Sequence, residues 1–347
     1  LGDFKGMKKR LFTFFMLLGV ISSALLAFTG NWKALLALYV LGTLGFNGSC
    51  VYYDSFLLDV TTEERMDRVS TLGYGLGYIG GSTIPLVLSL LLIQFGDAIG
   101  IGTMLATRIS FLLTAGWWLV FTLPMLRHVH QKHGIDPERN IVLHTLRNVK
   151  DTCCMILKNK SVVFFIIAYF FYIDGVGTII DNCINIGTDL NLNTVGQVVF
   201  LLATQVVAFG GSLVFARLSH KYSTVQLLFV CIGGYFLISL YIFTLHTLAQ
   251  FAILAFLVGC FQGSIQSLSR SYYSKIIPAE NSGEYFGIYD IFCKGASFLG
   301  SAVLAAVKLA GGSINTAVGC LAIFFALGFV FLRIADRQEN LQKQPTA

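Results

Sequence analysis

Two side chains of opposite charge, Asp290 and Lys294, stand four positions apart inside an otherwise apolar stretch. An Asp one helical turn before a Lys can meet it across that turn. A charged group surrounded by apolar residues is costly unless it is paired or faces a wet cavity, so each one is a candidate for function. If the helix begins near Gly283, Lys294 lies about 16 Å along it, close to the middle of a hydrocarbon layer of about 30 Å. The pair is then either a switchable ion pair lining a transport path or a permanent bridge between helix faces. Asp174 sits in another apolar run, just before Gly175-Val176-Gly177. Those glycines can loosen a helix, and Asp174 is the candidate for a proton-linked carboxylate. The alternative is a structural Asp satisfied by Tyr172 or by a neighbouring helix. Asn47, Gln205, Gln262 and Gln266 are uncharged polar side chains in similar settings and are candidates to line a solute path.

Other constellations point away from catalysis. The histidines sit in loops or in a basic linker, and His128, His130 and His133 read as solvated positions rather than metal ligands. The eight cysteines form no C-x-x-C and mostly lie in apolar runs, as small buried side chains do. Gly75 to Gly80 spells G-x-G-x-x-G, but no strand precedes it and no acidic residue follows at the right distance, so a dinucleotide site is rejected. No Walker motif is present, and the net charge of +6 comes from short loops rather than a nucleic-acid-binding surface. No enzyme, metal, cofactor or nucleic acid is expected.

The elements that must position these residues are membrane helices. Hydrophobic residues make up 55% of the 347 and charged residues only 12%, about half the usual charge of a soluble chain; mean hydropathy is +0.74. Ten apolar runs are legible, at about 11–29, 34–58, 69–95, 103–126, 162–181, 195–216, 224–244, 248–268, 285–307 and 313–332. Lys and Arg concentrate in alternate loops, which places both ends of the chain and the central linker in the cytoplasm. Residues 1–126 form one expected bundle. Residues 127–160 form a cytoplasmic linker with an amphipathic surface helix carrying Val142, Leu146, Val149, Cys153 and Ile156. Residues 161–337 form a second, six-helix bundle, and 338–347 a polar tail. Gly73, Gly77 and Gly81 recur every fourth residue, as do Gly259 and Gly263, and are expected to let helices approach closely. Runs one to four match runs seven to ten at an offset of about 210–220 residues, with Tyr52-Tyr53 answering Tyr272-Tyr273. Runs five and six have no partners in the front half. The expectation is therefore ten of twelve helices in a 6+6 arrangement, with two missing before Leu1.

The opening Gly2-Asp3-Phe4-Lys5-Gly6-Met7-Lys8-Lys9-Arg10 resembles the loop between helices two and three of the major facilitator superfamily. The motif residues are Asp3, Gly6, Lys8, Lys9 and Arg10; Phe4 stands where a basic residue is usual. The chain further resembles one branch of that superfamily, the vacuole-effluxer-like (unknown-major-facilitator) family. The stretches that carry this are 53–59 with 69–81; 108–124 with Trp117-Trp118; 169–181 around Asp174-Gly175; and 282–300 with Gly287-Ile288-Tyr289-Asp290-Ile291-Phe292-Cys293-Lys294. The resemblance implies an all-α polytopic membrane protein of two helical bundles. It also implies secondary active transport of a small solute, an amino acid or similar metabolite, by alternating access and as export; the Asp residues in the apolar runs would couple that movement to protons. The expected setting is a bacterial plasma membrane, with a vacuolar membrane as the alternative, and the expected partners are a small-molecule substrate, membrane lipid and protons, with the chain as a monomer. The competing function is a membrane sensor that keeps the transporter fold but signals ligand binding.

Overall fold

The computed structural model describes residues 1–136, 154–189 and 194–343, and these are almost entirely helical. The expected surface helix of the linker falls largely outside them. The helices are α1 (Met7–Leu25), α2 (Trp32–Ser55), α3 (Leu57–Val60), α4 (Glu63–Leu76), a π-helical segment (Gly77–Thr83) and α5 (Ile84–Phe95). They continue with α6 (Gly102–His128), α7 (Lys160–Asp189), α8 (Thr194–Leu218), α9 (Thr224–Ile242), α10 (Leu248–Ile276), α11 (Ser282–Leu309), α12 (Ile314–Gly319) and α13 (Ala322–Lys343).

Among the described residues, eight helical stretches are long and apolar enough to cross a membrane. Helices α1 and α11 cover the other two apolar runs. The 19 residues of α1 include Lys8, Lys9 and Arg10, and that charge sets it apart; α11 carries Glu284, Asp290, Lys294 and Lys308, and its described residues Phe298–Leu309 form a shorter apolar helix. Side-chain caps define several starts. Ser223 and Gln226 form a capping box at α9, and Thr247 and Gln250 form one at α10, satisfying amides that have no partner within the helix. The π-helical segment ends just before Pro85, at the start of α5. Proline has no N–H to donate and crowds the preceding turn, and a widened turn accommodates both effects. The stretch beyond Arg337, expected as a polar tail, continues α13 to Lys343.

The chain forms two compact units. One comprises residues 1–62, 79–147 and 278–286; the other comprises 63–78, 148–277 and 287–347. In the first unit α1 packs on α2 and α6, and α5 on α6. Helices α1 and α2 approach so closely that a Cβ on Gly45 would lie 2.3 Å from the backbone nitrogen of Gly19. Small residues permit that approach, and dispersion between the two backbones holds it. In the second unit α4 packs on α8 and α10, α13 on α7 and α9, and α10 on α8 and α9. Tyr289 stacks on Tyr169 at 4.1 Å and on Tyr273 at 4.8 Å between ring centroids, a buried aromatic column joining α11, α7 and α10.

Candidate functional site

Among the described residues, a buried polar cluster stands in each unit. In the first, the opening loop turns through Gly6, whose φ of 78° lies in the left-handed region that glycine adopts without strain. That turn sends Asp3 and Lys8 inward. The Asp3 carboxylate accepts from the backbone N–H groups of Gly283 at 2.6 Å and Glu284 at 2.9 Å, at the start of α11. A carboxylate there meets both free amides and the positive end of the helix. Burial nevertheless raises the pKa of Asp3 above its ordinary value, opposed by those two amides. Lys8 pairs with Asp59 at 2.8 Å and donates to Ser282 Oγ at 2.9 Å. Asp59 also accepts from the backbone N–H groups of Lys132 and His133 at 2.8 and 2.9 Å. Gln131 accepts from the N–H of Gly6 at 3.0 Å, so the segment after α6 straps the loop in place.

In the second unit, Asp67 on α4 accepts from Ser271 Oγ at 2.5 Å, Lys275 Nζ at 2.8 Å and Thr224 Oγ1 at 2.8 Å. One turn further along α4, Ser70 accepts from Arg270 Nε at 3.0 Å and donates to the Ser267 carbonyl at 2.6 Å. The Arg270 guanidinium lies 4.7 Å from the centre of the Tyr74 ring, a favourable cation–π distance. Arg270 and Lys275 read from sequence as loop cations; α10 instead runs on to Ile276 and presents both to α4. Asp59, Asp67 and Ser282 are not candidates on sequence grounds. The signal that could have found them is positional: Asp67 lies between Arg65 and Arg68, which are exposed, and Asp67 is buried.

Asp174 is 2% exposed. It accepts from the backbone N–H of Gly300 at 2.8 Å and from Thr178 Oγ1 at 3.3 Å. It thus ties α7 to α11 at a point where α11 has no side chain. Asp290 and Lys294 bond to each other within α11, with side chains 27% and 42% exposed. Gln205 and Gln262 line one cavity of about 110 Å³ in the second unit, together with Cys183, Gln197, Phe200, Thr204 and Phe251 among others. Asn47 and Gln266 are half-buried and do not line that cavity. Among the described residues, no group of three His, Cys, Asp or Glu side chains is placed to hold a metal ion.

The two glycine series divide. A Cβ on Gly259 would lie 2.8 Å from Val207 Cβ, and one on Gly263 would lie 2.3 Å from Ser212 Oγ, so α10 meets its neighbours closely along that face. A Cβ on Gly77 or Gly81 meets nothing within 4 Å among the described residues, and the close approach falls on Gly75, 3.0 Å from Ser212 Cβ. The expectation for Gly77 and Gly81 is corrected accordingly; Gly73 is half-buried. The physical reason is the π-helical segment, whose wider turn rotates Gly81 away from the face that a four-residue spacing would share.

Known proteins place this arrangement. The chain is similar in fold to the E. coli fucose:proton symporter FucP, with a TM-score of 0.75 at 14% identity, over 94% of this chain and 84% of FucP. It is also similar to the human organic anion transporter MFSD10, with a TM-score of 0.65 at 14% identity, over 94% of this chain and 77% of the other. A Bacillus subtilis (strain 168) protein named an uncharacterized MFS-type transporter, YxiO, is 41% identical over 344 residues, 98% of this chain and 80% of the relative. Autophagy-related protein 22 of Botryotinia fuckeliana is 24% identical over 313 residues, 81% of this chain. The chain spans about half of that fungal relative, 52% of its length. A family model described as vacuole effluxer Atg22 like matches residues 1–344. The fold and these relatives define an integral membrane transporter of the major facilitator class. Within that class, the chain belongs to the Atg22-like vacuole effluxer family.

Proposed function

We propose that this protein is a secondary active transporter that exports a small solute, an amino acid or similar metabolite, by alternating access coupled to protons. The carrying observation is the buried network of Asp67, Ser271, Lys275 and Thr224. It ties α4, from the front of the chain, to α9 and α10, from the back. Such a network is a latch: strong while dry, and exchangeable for water when the helices part. The Asp3 contact with the start of α11 supports the same reading. In this reading Asp174 takes up the proton, since a neutral carboxyl accepts more weakly from the Gly300 N–H and loosens α7 from α11. Asp290 and Lys294 form the switchable pair on α11. The reading carries two bundles, 1–126 and 161–337, within a twelve-helix frame, and a monomer in a bacterial plasma membrane. Identity to the Bacillus relative supports that setting over a vacuolar membrane.

The test is flux of labelled amino acids and related metabolites in proteoliposomes, with and without a pH gradient. Gradient-driven flux of a solute, reduced at least tenfold in Asp174→Asn, is the expected result. Lys275→Ala is expected to change rate far more than binding. Absence of gradient-driven flux across the panel, with protein correctly folded and inserted, counts against the reading.

A further inference from the structure

The cavity between α7, α8 and α10 has a chemistry of its own. Phe200 and Phe251, edge to face at 5.2 Å, supply an apolar wall. Gln205, Gln262 and Thr204 supply neutral donors and acceptors. Among the described residues, none that lines the cavity is Asp, Glu, Lys, Arg or His. Gln262 also hydrogen-bonds Tyr78, which fixes its amide and leaves that side chain donor and acceptor capacity toward the cavity.

We infer that this cavity is a solute site selective for an uncharged group, one that combines an apolar body with a hydrogen-bonding head such as an amide, carbonyl or hydroxyl. Apolar walls with a few convergent neutral dipoles are the usual make-up of such sites. A carboxylate or ammonium entering would lose its hydration and find no countercharge among the described lining residues. The head group bonds to Gln262 and Gln205. The inference rests on the transporter reading and narrows it: the part of the solute held by this unit carries no charge.

Three probes of one shape test this: phenylacetamide, phenylacetate and phenethylammonium, each titrated against the full chain in detergent while thermal unfolding is followed. Binding to the folded state raises the melting temperature with ligand concentration. Phenylacetamide is expected to raise it and the two charged probes to leave it unchanged. Gln262→Leu and Gln205→Leu are each expected to weaken the phenylacetamide response about tenfold in concentration; Thr204→Val serves if either fails to fold. Equal responses to all three probes, no response to phenylacetamide, or a response unchanged in these variants would overturn the inference. Proteoliposome flux separates it from the reading beneath: gradient-driven flux without a phenylacetamide response leaves the carrier and removes this site. A phenylacetamide response without flux of any solute does the reverse.

Discussion

Lys8 and Asp59 form an ion pair from which solvent is shut out: both side chains are 0% exposed, and nitrogen and oxygen lie 2.8 Å apart. Two dry charges are costly to bury, and each is tolerable because of the other. Removing one partner strands its mate. Lys8→Met and Asp59→Leu are each expected to destabilise the fold by about 3–5 kcal/mol. Asp59→Leu is expected to be the more severe, because the amides of Lys132 and His133 lose their acceptor as well. The double variant should cost clearly less than the sum. Thermal unfolding of the four proteins in detergent measures this, and simple additivity would show that the pair is not coupled.

The contact between α7 and α11 depends on Gly300 having no side chain. A Cβ there would lie 1.9 Å from Thr178 Oγ1 and 2.9 Å from Asp174 Oδ1. Gly300→Ala is expected to push the helices apart at a cost of about 1–3 kcal/mol. Thr178→Ala in the same chain should recover part of the loss by opening the tighter of the two contacts. Melting temperatures of both variants decide it; no rescue would mean that the carboxylate alone sets the spacing.

Glycines in one protein should answer oppositely to the same change. Gly77→Ala and Gly81→Ala meet open space, and alanine is favoured over glycine in a helix by up to about 1 kcal/mol, so both should be neutral or mildly stabilising. Gly259→Ala meets Val207 Cβ at 2.8 Å and the Thr204 carbonyl at 2.9 Å, and should destabilise by about 1–3 kcal/mol. A destabilised Gly77→Ala would restore the four-residue packing face.

Asp3 gives a pH dependence with a definite sign. Its folded-state pKa is raised, chiefly by burial, so folding favours the protonated form. The stability it contributes is fully present below its unfolded pKa, about 4, and is lost as pH rises through the higher folded value. Asp3→Asn cannot titrate. The melting temperature of the native chain relative to Asp3→Asn should therefore rise as pH is lowered from about 7 toward 4. The opposite slope would show that the amides of Gly283 and Glu284 outweigh burial.

Hydropathy located the helices because lipid-sized apolar runs are unmistakable, but it cut α10 short of its buried Arg270. Arg270 and Lys275 count as loop residues on any scale that scores side chains singly, since their cost of burial is offset by Ser70 and Asp67 some 200 positions away. Asp174 was legible as an isolated charge in an apolar run, although its partner, a backbone amide of Gly300, has no sequence signature. The glycine face failed at Gly77 and Gly81 because a fixed period cannot register a π-helical turn. The close crossing of Gly19 and Gly45 went unseen because it joins two different helices.

The first unit takes residues 278–286 from far along the chain, and this has a consequence for biosynthesis. Asp3 must wait for Gly283, 280 positions later, to find its partner. At synthesis rates of about 5–20 residues per second, that wait is on the order of tens of seconds. Throughout it, the opening loop is already made while the amides that will hold Asp3 have yet to leave the ribosome. Lys8 meets Asp59 after only 51 residues, so in that interval it is Asp3 that must be satisfied by other donors, water among them, before the amides of α11 take over.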